Sequence, residues 1–254
     1  MSIFSEQVDR ANTLFSYLPL FHTCDGFDAR KHFQMRELQT EDICEVFDEK
    51  ITYLFYGRPA FKYEVTDQST KQLQLYPVCF VFDLYFIKDI KRIYPFDSGA
   101  MHHKLLSDFV GSKMTLADFE LEPDRKRIAD VVLRFYETNS AYLESKFKGR
   151  PIDPLNFESV AYQQMNDAYL ANTADERRVT IEVQAGQTVP FSGGALKAVI
   201  APTQYLSSPL FQSFVSELKI DVRTYEINVW NPRMSFGLLA DLSKQYLREK
   251  EYDV

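Results

Sequence analysis

The chain reads as an α+β protein, and three observations predict it. β-prone apolar runs at 51–56 and 76–82 precede a long stretch with helical spacing. Further β-prone runs at 179–184, 196–201 and 224–229 follow that stretch. Strands grouped on either side of helices, without regular alternation, indicate α+β. With 45% hydrophobic and 15% aromatic residues among 254, the chain can bury a substantial core, which excludes a disordered polymer.

Each element has a local reason. Residues 5–15 read as a short helix, with Ser5 as N-cap and Glu6 in the first turn. Residues 21–24 look like a strand end. A helix over about 27–36 follows, with Phe27, Ala29 or Arg30, and Phe33 at helical spacing. The 51–56 run is stopped by Gly57 and Pro59. The 76–82 run is apolar throughout, so it expects cover on both faces.

Residues 97–123 are less regular. Asp124 starts a helix expected to reach about Phe147, with one stripe formed by Ile128, Val131, Val132, Phe135, Tyr142 and Leu143. Pro151 and Pro154 punctuate its exit, and a second helix is expected over 157–170. In the final third, helices near 209–219 and 235–249 accompany the strands, and Pro209 suits a first turn. No internal repeat, low-complexity tract or flexible linker interrupts the chain. The expectation is one domain over 1–254, with a largely helical insertion at about 98–175.

The 29 basic and 36 acidic residues give a net charge of −7, which opposes nonspecific attachment to nucleic acid or anionic membranes. A local basic cleft stays open. Three cysteines, Cys24, Cys44 and Cys79, lack CxxC spacing and are odd in number, which argues against a disulfide framework and for a reducing cytoplasm. The apolar run at 14–21 is too short to span a bilayer, and Glu6, Asp9 and Arg10 before it make a poor secretion signal. A cytoplasmic protein without membrane attachment is expected.

Three short polar signatures on predicted strands carry the candidate chemistry. His22 serves either as a structural hydrogen-bonding group or as a ligand contact. His102-His103, in an irregular region, reads as a solvated pair. No HExxH or paired Cys/His spacing supports zinc, so no metal is expected. GxGxxG, GxxxxGK[ST] and GxSxG are absent, which removes the Rossmann turn, the P-loop and the serine-hydrolase elbow. Tyr56-Gly57-Arg58-Pro59 is either a tight turn after an edge strand or a place where a tyrosine face stacks on a planar ring. Strand alternation puts Ile181 and Val183 towards the core and Thr180, Glu182 and Gln184 on the other face. That face is either solvent-exposed or the lining of a cleft beside Arg177-Arg178 and the turn-rich 186–194 segment.

In order and spacing, Phe21-His22-Thr23, Tyr53 to Pro59 and Thr180-Ile181-Glu182-Val183 resemble the ADP-ribosyltransferase superfamily, in its histidine-tyrosine-glutamate branch. Arg36-Glu37-Leu38 stands where that family commonly has a glycine exit, and its His-Gly-Thr is reduced here to His22-Thr23. Residues 198–202 and Thr224-Tyr225 look like closing strands of bacterial toxin-like members. The resemblance implies a split mixed sheet with flanking helices and NAD as substrate, without a metal. It gives His22 and Thr23 to the cofactor's ribose or adenosine, Tyr56 and Gly57 to the nicotinamide, Arg58 to the pyrophosphate and Glu182 to catalysis.

The implied reaction transfers ADP-ribose to a macromolecular acceptor, protein or nucleic acid, as in toxins or phage-defence effectors, with an antitoxin or other regulatory partner. The alternatives are NAD hydrolysis at the same site and a non-catalytic binding module.

Overall fold

The computed structural model describes residues 1–40, 42–61, 69–167 and 179–254. Its centre is one sheet of seven strands: β1 (Leu20–Asp25), β3 (Thr52–Tyr56), β4 (Pro77–Phe82), β5 (Ile90–Tyr94), β6 (Glu182–Ala185), β8 (Leu196–Pro202) and β9 (Asp221–Tyr225). Their spatial order is β5-β6-β3-β1-β4-β8-β9. All neighbours pair antiparallel except β8 and β9, which are parallel and joined through a helix, as a parallel pair requires. The short strands β2 (Glu37–Gln39) and β7 (Thr188–Pro190) form a separate antiparallel pair. The α+β expectation holds at this level.

Two helical layers cover the sheet. On one face lie α2 (Gly26–Met35) and α7 (Pro209–Leu218); Phe33 of α2 packs on Phe80 of β4 and is met from α7 by Phe211 and Phe214. On the other lies α8 (Met234–Glu249), whose Leu239, Tyr246 and Leu247 pack on Phe21, Cys79, Val81, Ala198 and Ile200. The apolar run of β4 is buried along its whole length, as its composition demands.

The first helix is shorter than expected. α1 covers Ile3–Gln7, capped by Ser2, whose side chain accepts from the Ser5 amide. The expected helix from Asp124 to about Phe147 is two helices, α4 (Lys126–Phe135) and α5 (Asn139–Leu143). Glu137 takes a left-handed φ of 67° between them, and Thr138 restarts the chain by capping the Ala141 amide. A hydrophobic stripe survives such a break because both helices face the same core. α3 (Ser98–His102) and α6 (Phe157–Asp167) complete the helices among the described residues. The expected continuation to 170 lies outside them.

The helices of the 98–175 segment share the main core. Phe4 stacks on Phe135 at 5.7 Å and meets Tyr162 edge-on at 5.6 Å. At the other end, Tyr142 donates its hydroxyl to the Tyr56 carbonyl and accepts from the Ile181 amide. These helices are bound to the sheet corner itself. Among the described residues, no helix is long and apolar enough to cross a membrane.

Candidate functional site

The sheet makes immediate neighbours of the three strands that carry the sequence signatures: β1 with His22, β3 with Tyr56 and β6 with Glu182. Their side chains nevertheless divide between its two faces. Partners across an antiparallel ladder point the same way. Phe21 pairs with Phe55, and Phe55 with Glu182, so Glu182 shares the face of Phe21. Leu20 pairs with Tyr56, which puts Tyr56 and His22 on the opposite face. The expected convergence of histidine, tyrosine and glutamate in one cleft is therefore not what the fold builds.

Each predicted residue has a structural occupation. Tyr56 is wholly buried; its hydroxyl accepts from the Leu18 amide at 3.0 Å and donates to Asn139 Oδ1 at 2.9 Å. Its ring lies 5.6 Å from that of Tyr142, leaving no face for a nicotinamide. Gly57 sits at φ +72°, where a Cβ would lie 2.7 Å from Leu18 Cδ1. The glycine serves the turn. Arg58 donates to Thr180 Oγ1, Ser145 Oγ and the Val179 carbonyl, and its guanidinium lies over the Tyr142 ring. All three anchor the β3 corner to the α5 region and the start of β6. Thr23 pairs opposite Cys79, away from the face of His22.

Glu182 is also buried completely, and Thr180 and Gln184 with it, so their face is neither exposed nor the wall of an open cleft. The carboxylate accepts from the Ser98 amide at 3.1 Å, from Ser98 Oγ at 2.7 Å and from Gln184 Nε2 at 2.7 Å. Those donors favour the anion, but burial and the neighbouring Asp97 carboxylate outweigh them and push its pKa up to about 8. Both causes favour the protonated, neutral acid. A neutral, enclosed acid is a poor counter-charge for a developing cation.

The face of His22 offers different chemistry. His22 Nδ1 lies 2.8 Å from the Tyr53 carbonyl, and burial lowers its pKa. Cys24, two residues on, shares its face. His32, on the inner side of α2, is 7% exposed, and its ring meets that of His22 edge-on at 5.9 Å. The ligating atoms of His22, Cys24 and His32 all lie within 4.8 Å of one another. The pattern His-x-Cys, with a second histidine returning from the following helix, matches none of the short spacings that mark zinc in a sequence. A strand-then-helix reading was the only signal available for it.

Around the N-terminal end of α2 is a cavity of about 310 Å³. Phe27, Phe33, Tyr205 and Phe211 supply its aromatic walls, with Leu73 and Leu210. Arg30, Gln74 and Gln204 are its long polar side chains. Tyr205 reaches the Leu73 carbonyl at 3.4 Å and packs where a Cβ on Gly26 would lie 2.1 Å from its hydroxyl oxygen, so the wall depends on that glycine. His102 and His103 lie elsewhere, and the exposed His103 pairs with Glu45 at 2.9 Å.

Comparison of the chain with family models, curated proteins and solved structures finds no match.

Proposed function

We propose that the chain is a small-molecule-binding protein whose ligand is planar, heteroaromatic and anionic, of the nucleotide class. The carrying observation is the cavity beside α2. Its volume falls in the range of small-ligand sites, and it combines apolar walls with a few polar groups, the usual composition of such sites. Aromatic side chains suit a flat ring. The guanidinium of Arg30, held 5.0 Å from the Phe27 ring, suits a phosphate oxygen pair. The amides of Gln74 and Gln204 offer both donors and acceptors to a base edge.

Thermal denaturation with AMP, ADP-ribose and NAD tests this. At 100 times its dissociation constant, the right ligand adds about 2.7 kcal/mol. In a chain of this size each kcal/mol moves the midpoint by about 2–4 °C. Leu210→Trp, which fills the half-buried wall, should erase the shift. No shift with any of the three, or a shift indifferent to Leu210→Trp, removes the reading.

ADP-ribosyl transfer, or NAD hydrolysis, is a second reading, and one observation favours it: β6, β3 and β1 are consecutive in the sheet. The division of their side chains between two faces weighs against it, and the residues present do not fit NAD in the expected pose. Labelled NAD incubated with the protein and a cell extract decides. Label on protein or nucleic acid, or free ADP-ribose, restores this reading and with it a macromolecular acceptor and a restraining partner. In that case Glu182→Gln should lower turnover by on the order of 100-fold.

A further inference from the structure

We propose that His22, Cys24 and His32 bind one borderline-soft divalent transition-metal cation, zinc first among them, with a fourth coordination position left to water or an exogenous ligand. Nothing in this proposal depends on what fills the cavity beside α2.

The fold assembles the donors from two rigid elements. Strand alternation puts His22 and Cys24 on one face of β1. Asp25 caps α2 immediately afterwards, turning the helix back across that face so that His32 points inward. Two imidazoles and one thiol form a donor set matched to zinc or its neighbours, and poorly matched to magnesium or calcium, which take oxygen.

Three further observations point to a ligand. The Tyr53 carbonyl can only accept, so His22 Nδ1 carries the proton and Nε2 keeps its lone pair. A histidine oriented through its far nitrogen by a carbonyl is the usual outer arrangement at metal sites. His32 Nδ1 is buried and has no hydrogen-bond partner among the described residues. An orphaned polar atom in such a place is destabilising, and a cation or its bound water would answer it. Finally, ligating atoms within 4.8 Å need to close by at most about 1.2–1.5 Å to reach the roughly 3.3–3.6 Å edges of a tetrahedral zinc site.

On binding, Cys24 gives up its thiol proton: the sulfur–proton bond breaks as the metal–sulfur bond forms, and one proton leaves to solvent. Nothing is oxidised or reduced.

The test uses the full chain, stripped with a chelator and titrated with Zn²⁺ by calorimetry and with Co²⁺ by absorption. The expected result is one ion per chain, a thiolate-to-cobalt charge-transfer band, and tetrahedral d–d bands. Cys24→Ser should abolish the charge-transfer band. His22→Gln and His32→Gln should each weaken affinity by more than the roughly 10–100-fold that loss of an outer partner costs. Cys44→Ser should change nothing. His32 is buried, so circular dichroism of each metal-free variant checks its fold; the half-buried Cys24 carries the decision if His32→Gln does not fold. Absence of stoichiometric uptake overturns the proposal. So does uptake that survives Cys24→Ser, or that is lost on changing His102 and His103 instead.

Discussion

Arg127→Ala is expected to lower stability by about 3–5 kcal/mol, the range for removing one partner of a buried charge pair. Arg127 is 1% exposed, yet its guanidinium meets two carboxylates and two backbone carbonyls. Nε faces Glu122 at 2.8 Å and Nη1 pairs with Asp130. Nη2 donates to the Ser5 carbonyl at 2.8 Å and also reaches that of Val8. It thus ties α4 to α1 and to the chain leaving α1. Alanine would leave Asp130, 3% exposed, with its charge buried and only the Ala11 amide as a donor from outside α4. The measurement is the denaturant midpoint at constant slope. Arg127→Met combined with Asp130→Asn should lose clearly less than Arg127→Ala, because no isolated charge remains. Equal loss in both would show that the guanidinium's hydrogen bonds to the Ser5 and Val8 carbonyls matter, and the isolated Asp130 charge does not.

The second large effect is in pH dependence. Burial and the neighbouring Asp97 carboxylate push the pKa of Glu182 up from its ordinary 4.5 to about 8 in the fold. Between those values the native state keeps a proton that the unfolded state has released. Stability therefore falls as pH rises through this window, by up to about 1.4 kcal/mol per unit, and levels off above it. Glu182→Gln has no proton to lose, so its stability curve should be flatter from pH 5 to 8 and should cross above the wild type. His22 and His32, lowered by burial, act in the opposite direction below 6.5 in both proteins, so the difference curve isolates the Glu182–Asp97 carboxyl pair. Parallel curves for the two proteins would mean that Glu182 is ionised in the fold. An ionised Glu182 could then offset a developing cation after all.

Elements were legible where local chemistry suffices. Apolar continuity marks β4, helical spacing marks α2, and Pro209 marks the first turn of α7, which Ser208 caps in the structure. β9 was expected near 224–229 but ends at Tyr225. β5 gives no clear sequence signal because Lys91 and Arg92 interrupt its apolar residues, as befits a strand at the edge of a sheet. The alternation of β6 puts Glu182 and Val183 on opposite faces, as the sequence pattern indicates. What covers each face is a tertiary fact. The same limit governs the site. A histidine, a tyrosine and a glutamate on adjacent strands look convergent in sequence, but one step of register decides which face each takes. The inward turn of His32 towards Cys24 depends on how α2 lies on the sheet, which no spacing encodes.

The strand order has a consequence for how the molecule is made. β3 completes at Tyr56, but its outer neighbour β6 begins only at Glu182, and β5 joins the sheet solely through β6. At a synthesis rate of about 5–20 residues per second, the apolar edge of β3 waits on the order of ten seconds for its partner. During that interval a nascent chain holds β1, β3 and β4 with Leu54 and Phe55 on a bare rim, a template for pairing with another copy. Release from the ribosome, and protection by chaperones until residue 185 has emerged, should therefore limit the yield of native protein more than the stability of the finished fold does.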